Sequence, residues 1–290
     1  MFLTIWFQYF HFMGIYAKTV FPVADKRELC PCGSNGSFKQ TRVVGGHNAA
    51  RGLFPYASCL VDDFQAREEK EGYHQFCGAT LITDIHAVTA AHCLKSRQAE
   101  EVLVDVGDYA IHSSPQGQLR KIRSIKSHPS YTPGKFFHDI AVIEFEEPVQ
   151  WDSGIRTVWL PSPNLNLKPG TIVNLYGWGR LNYSGISADS LQSVELPVVS
   201  NEKCQSKFKT EIQSNMMCAG GEGGRDACTG DSGSGLVVRL NDEYVLCGLV
   251  SFGRRCALPE VAGVYTRVSS FVKWIYKNTL SAHCKPCIME

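Results

Sequence analysis

The chain has 290 residues, with 29 Lys and Arg against 28 Asp and Glu, a net charge of +1, and 44% apolar and 11% aromatic residues. A balance this close to zero gives no electrostatic case for binding nucleic acid or an anionic membrane, and low charge with plentiful aromatics excludes a mainly disordered chain. Twelve cysteines imply either an oxidising compartment or metal sites, and their spacing has to choose.

Residues 1–17, MFLTIWFQYFHFMGIYA, are apolar and aromatic, interrupted by Gln8 and His11. The run sits at the short limit for a membrane span and ends on the small Ala17 before Lys18. It predicts a secretory signal removed after Ala17, and hence an extracellular protein; the missing Lys or Arg before the apolar run leaves an uncleaved signal-anchor as the alternative. Residues 18–42 are polar and turn-rich around Cys30-Pro31-Cys32-Gly33-Ser34-Asn35-Gly36-Ser37, too short to fold alone. From 43 to 268 short β-branched runs (Val102–Val106, Ile140–Phe145 and Tyr244–Ser251) alternate with Gly, Pro, Ser and Asn clusters. That pattern predicts an all-β antiparallel barrel or sandwich, and the length favours two packed barrels. Near the end, Phe271, Trp274 and Ile275 share one helical face, with Ser269 or Ser270 placed to cap it. Residues 281–290 form a tail holding Cys284 and Cys287.

Three short elements make chemical sense only together: Thr89-Ala90-Ala91-His92-Cys93, His138-Asp139-Ile140-Ala141 and Gly230-Asp231-Ser232-Gly233. Singly, a His beside a Cys is structural, an Asp before a strand is a turn residue, and a Ser between glycines is a tight turn. Jointly they supply a base, an orienting acid and a nucleophile in the order His, Asp, Ser. On these motifs residues 43–280 resemble the trypsin- and chymotrypsin-like serine endopeptidases, with secreted arthropod trypsin-like members nearest. The resemblance implies two six-stranded antiparallel β-barrels, with a C-terminal α-helix and an active site in the cleft between the barrels. It implies Ser232 as nucleophile, His92 as general base and acid, Asp139 as the group that orients His92, and the Gly230 and Ser232 N–H groups as oxyanion hole. Ser251 stands where the family supports its buried Asp.

The resemblance also reads Arg42-Val43-Val44-Gly45-Gly46 as an activation junction, cut after Arg42 so that the Val43 ammonium pairs with Asp231. Residues 18–42 are then a pro-segment. Asp226 matches the floor of the primary specificity pocket, with Gly253 and Gly263 as its walls, which implies cleavage after Arg or Lys. Some residues depart from the pattern. Arg255 replaces a usual Gly after Arg254, so that two cations at the rim either repel basic substrates or select acids just upstream of the cut. Phe252 replaces a usual Trp, and Ser234-Gly235 a usual Gly-Pro. These predict a narrow processing enzyme. The alternative is a catalytically weak binding scaffold, kept open by the rim arginines although all three triad residues stand.

Register with the family pairs Cys77 with Cys93, Cys204 with Cys218 and Cys228 with Cys256. Its usual link from pro-segment to catalytic domain lacks a partner, because Trp159 stands there. Cys30 and Cys32 are then candidates to pair with Cys284 and Cys287, while Cys59 and Cys247 pair or stay free; the arithmetic leaves these six open. Asn35-Gly36-Ser37 and Asn182-Tyr183-Ser184 are glycosylation acceptor patterns. The resemblance aligns Gly107 to Leu119 with the family's calcium loop, but the segment is shortened and offers few carboxylates, Asp108 being the clearest, too few for calcium; no metal and no cofactor are expected. The implied partners are a polypeptide substrate, an activating trypsin-like protease and protein protease inhibitors.

Overall fold

A computed structural model describes residues 25–33, 47–63, 75–113, 116–180, 186–223, 230–254 and 259–290. The signal segment, the junction at Arg42 and Val43, Asn35, Asn182, Asp226, Arg255 and the Cys228–Cys256 pair lie outside the described residues.

Six strands close the first barrel: β2 (Ala57–Asp62), β3 (Gln75–Leu81), β4 (His86–Thr89), β5 (Val102–Val106), β6 (Gln118–Ser127) and β7 (Ala141–Phe145), in the order β2-β3-β4-β7-β6-β5 with β5 pairing back onto β2. The two-residue β1 (His47–Asn48) lies on the second barrel instead, along β9. That barrel is built from β8 (Ile172–Gly177), β9 (Gln192–Val199), β10 (Met216–Ala219), β11 (Gly235–Leu240), β12 (Glu243–Phe252) and β13 (Gly263–Arg267). It is ordered β9-β10-β13-β12-β11-β8 and closed by β8 pairing with β9. All neighbouring strands are antiparallel. The chain is thus all-β in two six-stranded barrels, as the resemblance implies.

Local chemistry explains the elements. In β5 and β7 every residue is buried, which is why they read as continuous β-branched runs rather than alternating ones. Asn241 and Asp242 take φ of 48° and 64° between β11 and β12. Asn and Asp tolerate that left-handed region, and it gives the two-residue turn whose twist suits a hairpin. Phe54, Tyr56, Tyr176 and Tyr244 stack between the barrels, with Phe54 and Tyr176 centroids 4.9 Å apart. Thr80 and Tyr176 hydroxyls are hydrogen-bonded across the seam at 2.7 Å. A Cβ on Gly235 would fall 2.2 Å from that Tyr176 hydroxyl, so the residue after Ser234 must be small for the barrels to meet.

Helix α1 (Asn201–Gln205) is capped by Ser200, whose hydroxyl accepts from the Lys203 N–H. The C-terminal helix α2 spans Val272–Lys277 and buries Val272, Ile275 and Tyr276. The expected serine cap does not form. Ser269 and Ser270 are taken up in a 3₁₀ turn, Val268–Ser270, and Phe271 enters the helix with no side-chain cap.

Among the described residues four disulfides are present: Cys77–Cys93, Cys204–Cys218, Cys30–Cys284 and Cys32–Cys287. Cys59 and Cys247 are free and buried. They sit in the cores of different barrels, and burial pushes both thiols far up.

Candidate active site

His92 lies in a 3₁₀ turn, Ala91–Leu94, directly after β4, and the Cys77–Cys93 disulfide ties that turn to β3. Asp139 lies just before β7, at the end of a loop bent by left-handed residues: Phe136 has φ of 57° and His138 of 54°. Non-glycine residues pay for such backbone, and they persist only where surrounding packing enforces them. Here His138 is stacked on His128 and edged by Phe271.

The loop delivers a fully buried carboxylate. Asp139 Oδ1 accepts the His92 backbone N–H at 2.8 Å, Oδ2 faces His92 Nδ1 at 2.7 Å, and the Ser251 hydroxyl donates to Oδ2 at 2.6 Å. The Thr266 hydroxyl donates to the Asp139 carbonyl at 2.6 Å. A carboxylate removed from water needs such donors, because burying it unpaired would cost several kcal/mol. The arrangement fixes His92 with Nδ1 toward the acid and Nε2 on the opposite edge of the ring. Ser251 thus lies beside Asp139.

Ser232 occupies a turn ahead of β11. Its carbonyl accepts the Gly78 N–H at 2.7 Å, the Gly233 N–H reaches Val250 O at 2.9 Å, and the Ser234 N–H reaches Asp231 O at 2.8 Å. Gly233 has φ of 79°, and a Cβ there would fall 2.2 Å from Thr89 Oγ1 and 2.5 Å from Gly78 O. Only glycine lets the serine turn lie this close to the strand end that leads to His92. Gly230, Asp231, Ser232, His92 and Asp139 are therefore gathered at the seam between the barrels. Ser232 and His92 make no hydrogen bond to each other among the described residues. Such contacts are often loose until substrate is bound.

The Gly230 and Ser232 N–H groups donate to no other group among the described residues. Gly230 has φ of 96°, and its carbonyl accepts from Gln75 Nε2 at 2.5 Å. Asp231 is buried, with Oδ1 accepting the Gly179 N–H at 2.9 Å; Cβ atoms on Gly177 or Gly179 would run into its carboxylate. At Gly253 a Cβ would meet nothing within 4 Å among the described residues. Gly263 begins β13, opposite Ala219.

Sequence reading missed several members of the site. Gln75 and Thr266 carry no motif, and their partners are 155 and 127 residues away. Phe136 was passed over in the loop before Asp139. Its ring stands edge-on to His92, 5.6 Å between centroids, and stacks on Phe252 at 5.1 Å.

The family model described as Trypsin matches residues 43–275. A Drosophila melanogaster protein named serine protease filzig is 33% identical over 258 residues, covering 86% of this chain. This chain spans only 15% of the length of that relative.

Proposed function

Because the chain belongs to the trypsin family of serine proteases, we propose that it is a secreted serine endopeptidase, inactive until cut after Arg42, that hydrolyses peptide bonds following Arg or Lys. The observation that carries the catalytic part is the buried Asp139 carboxylate holding both the His92 backbone and its Nδ1. In this reading residues 43–280 form the protease domain and residues 18–42 the pro-segment. Its substrates are polypeptides and its activator is another trypsin-like protease. Asn35 and Asn182 are candidate glycosylation sites.

In the acylation step the Ser232 oxygen bonds to the scissile carbonyl carbon while His92 Nε2 takes the hydroxyl proton. The carbonyl oxygen becomes an oxyanion and accepts from the Gly230 and Ser232 N–H groups; loss of one such donor costs about 10²–10³ in rate. Collapse breaks the C–N bond, and His92 returns the proton to the leaving amine. Water then attacks the acyl ester by the same route, releasing the new carboxyl terminus and restoring Ser232. Asp139 holds His92 in the required tautomer and stabilises the imidazolium, with Ser251 buttressing the acid. Asp226 at the pocket floor pairs with the substrate guanidinium or ammonium, and Gly253 and Gly263 leave room for its stem.

Cleavage after Arg42 frees the Val43 ammonium to join Asp231. Asp231 adjoins Ser232 and its carboxylate packs against Gly177 and Gly179, so a new charge there re-sets the serine turn and brings Ser232 within reach of His92. The test is to cut the purified chain at Arg42 and follow hydrolysis of an Arg ester and an Arg amide, with Ser232→Ala as control. A burst of activity on cutting, lost in Ser232→Ala and shifted away from Arg and Lys in Asp226→Ser, is the expected result. Activity no higher than the Ser232→Ala control would sink the reading and leave the binding scaffold.

A further inference from the structure

Next to Phe136, whose ring stands edge-on to His92, the surface opens into a solvent-connected cavity of about 270 Å³ lined by Phe136, Phe208, Phe252, Lys207, Lys209 and Arg254, among others. The aromatic rings form a continuous path out from the catalytic imidazole. Phe136 is 5.6 Å from His92, Phe252 is 5.1 Å from Phe136, and Phe208 is 5.6 Å from Phe252, edge to face. In extended chain, at about 3.3 Å per residue, that path covers roughly the second to fifth positions from the reacting atoms. Phe136 takes its place only by adopting a left-handed backbone, the kind of strain that marks working sites.

The rim is cationic. The Arg254 Nη1–H donates to the Lys207 carbonyl at 3.0 Å, which holds the guanidinium at the cavity rim, and its other donors have no partner among the described residues. Lys207 Nζ meets Glu260 at 3.3 Å, but the Glu260 side chain is 80% exposed, so water and salt screen that pair. Lys209 is exposed, and Glu260 is the sole acid paired with any of the three cations among the described residues. Apolar walls under an excess of positive charge fit a side chain with an aliphatic stem and a carboxylate head. The stem covers the ring faces, and the head meets cations where water is partly excluded and Coulomb attraction strengthened.

We propose that this cavity is a specificity subsite that selects an acidic residue upstream of the scissile bond, with its stem against Phe136 and Phe252 and its carboxylate against Lys207, Lys209 and Arg254. The inference rests on the protease reading for what is bound, but not on turnover for its test. Of the two options raised for the rim cations it takes attraction toward acids, and it predicts weak binding of basic residues at the same positions.

The experiment uses chain cut at Arg42 and carrying Ser232→Ala, so that peptides bind without being consumed. Affinities are measured for acetyl-X-X-Gly-Arg amides with X as Glu, Gln, Phe or Lys. The Glu peptide should bind about five- to tenfold more tightly than the near-isosteric Gln peptide at low salt. Lys should bind weakest, and the Glu advantage should shrink toward unity near 1 M salt, where screening acts over about 3 Å. Joint Lys207→Gln and Lys209→Gln substitution should lower the Glu-to-Gln ratio, a quantity that does not depend on what fraction of the variant is folded. Equal affinities for Glu and Gln, or Phe favoured with no effect of charge, would overturn the proposal. Parallel rates on the matching nitroanilides with Ser232 intact separate the two readings. A Glu preference in binding with no turnover of any peptide would remove the protease reading and leave the subsite; turnover without that preference would do the reverse.

Discussion

Asp139 shows how little tolerance this site has at the scale of single atoms. Its two oxygens accept from the His92 backbone, His92 Nδ1 and the Ser251 hydroxyl, and its side chain is wholly removed from solvent. Replacing it with Asn keeps the shape but turns one oxygen into an N–H donor facing donors. The imidazole must then present its lone pair at Nδ1 and carry its proton on Nε2, where a base is needed. Asp139→Asn is expected to lower kcat by about 10⁴ with little change in KM, as the same change does in a protease with this triad. Arg-ester hydrolysis after activation measures it, and a loss below tenfold would mean that Asp139 does not set the tautomer. His92, Asp139 and Ser232 were legible in the sequence because the chemistry allows few residue types and their local motifs are tight. Gln75 and Gly78 were not legible as site residues, because what they do depends on how closely the two barrels approach. A Cβ on Gly78 would fall 1.9 Å from Ser234 Oγ, and no local spacing reports that contact.

The elements divide in the same way. β5 and β7 are buried at every position and stood out as apolar runs, whereas β6 (Gln118–Ser127) is polar and largely exposed and is held by the ladders on either side. β4 carries another histidine, away from the candidate site. His86 is fully buried, with Nδ1 2.8 Å from the Thr83 hydroxyl and Nε2 3.3 Å from the Ser281 hydroxyl. Burial pushes its pKa from 6.5 down to about 4, against the pull of Glu144 and Asp84 and with the help of Lys126 and Arg27. Between those two values the unfolded chain binds more protons than the native one, so stability is intact above pH 6.5 and falls as the pH drops toward 4. The slope this histidine adds is at most about 1.4 kcal/mol per pH unit. Urea unfolding of the uncut chain at pH 7, 5.5 and 4.5 should therefore show a steeper loss than His86→Gln, whatever the variant's own stability at pH 7. Parallel pH profiles for the two proteins would refute a neutral, buried His86.

At the scale of the whole molecule, the segment from Asp25 to Gly33 is bound to the body by both covalent and polar contacts. Cys30 joins Cys284 and Cys32 joins Cys287, links that span 254 and 255 residues of sequence. Arg27 donates to the carbonyls of Thr279 and Ala282 and pairs with Asp25, which in turn accepts the Tyr276 hydroxyl. The Arg27 guanidinium in particular holds the Asp25 carboxyl far below the usual carboxylate range. Backbone bonds from Cys30 to Lys285, from Lys285 to Glu28 and from Thr157 to Pro31 continue the seam. The cysteine spacing made these pairings thinkable but could not choose them, because six cysteines close in many ways and only the docking of the tail brings the partners together. Cutting at Arg42 breaks one peptide bond and none of these contacts, so the activated molecule is expected to be a two-chain protein that keeps the segment preceding the junction. On a gel the cut chain should run as one band without reductant and as two with it. Cys30→Ser or Cys32→Ser alone should leave one band, because either disulfide suffices, and the double variant should give two bands without reductant. The double variant should also melt lower, since long-range disulfides each contribute about 2–4 kcal/mol. Separation of the cut wild-type chain without reductant, or separation in either single variant, would mean that the segment is not held by both links.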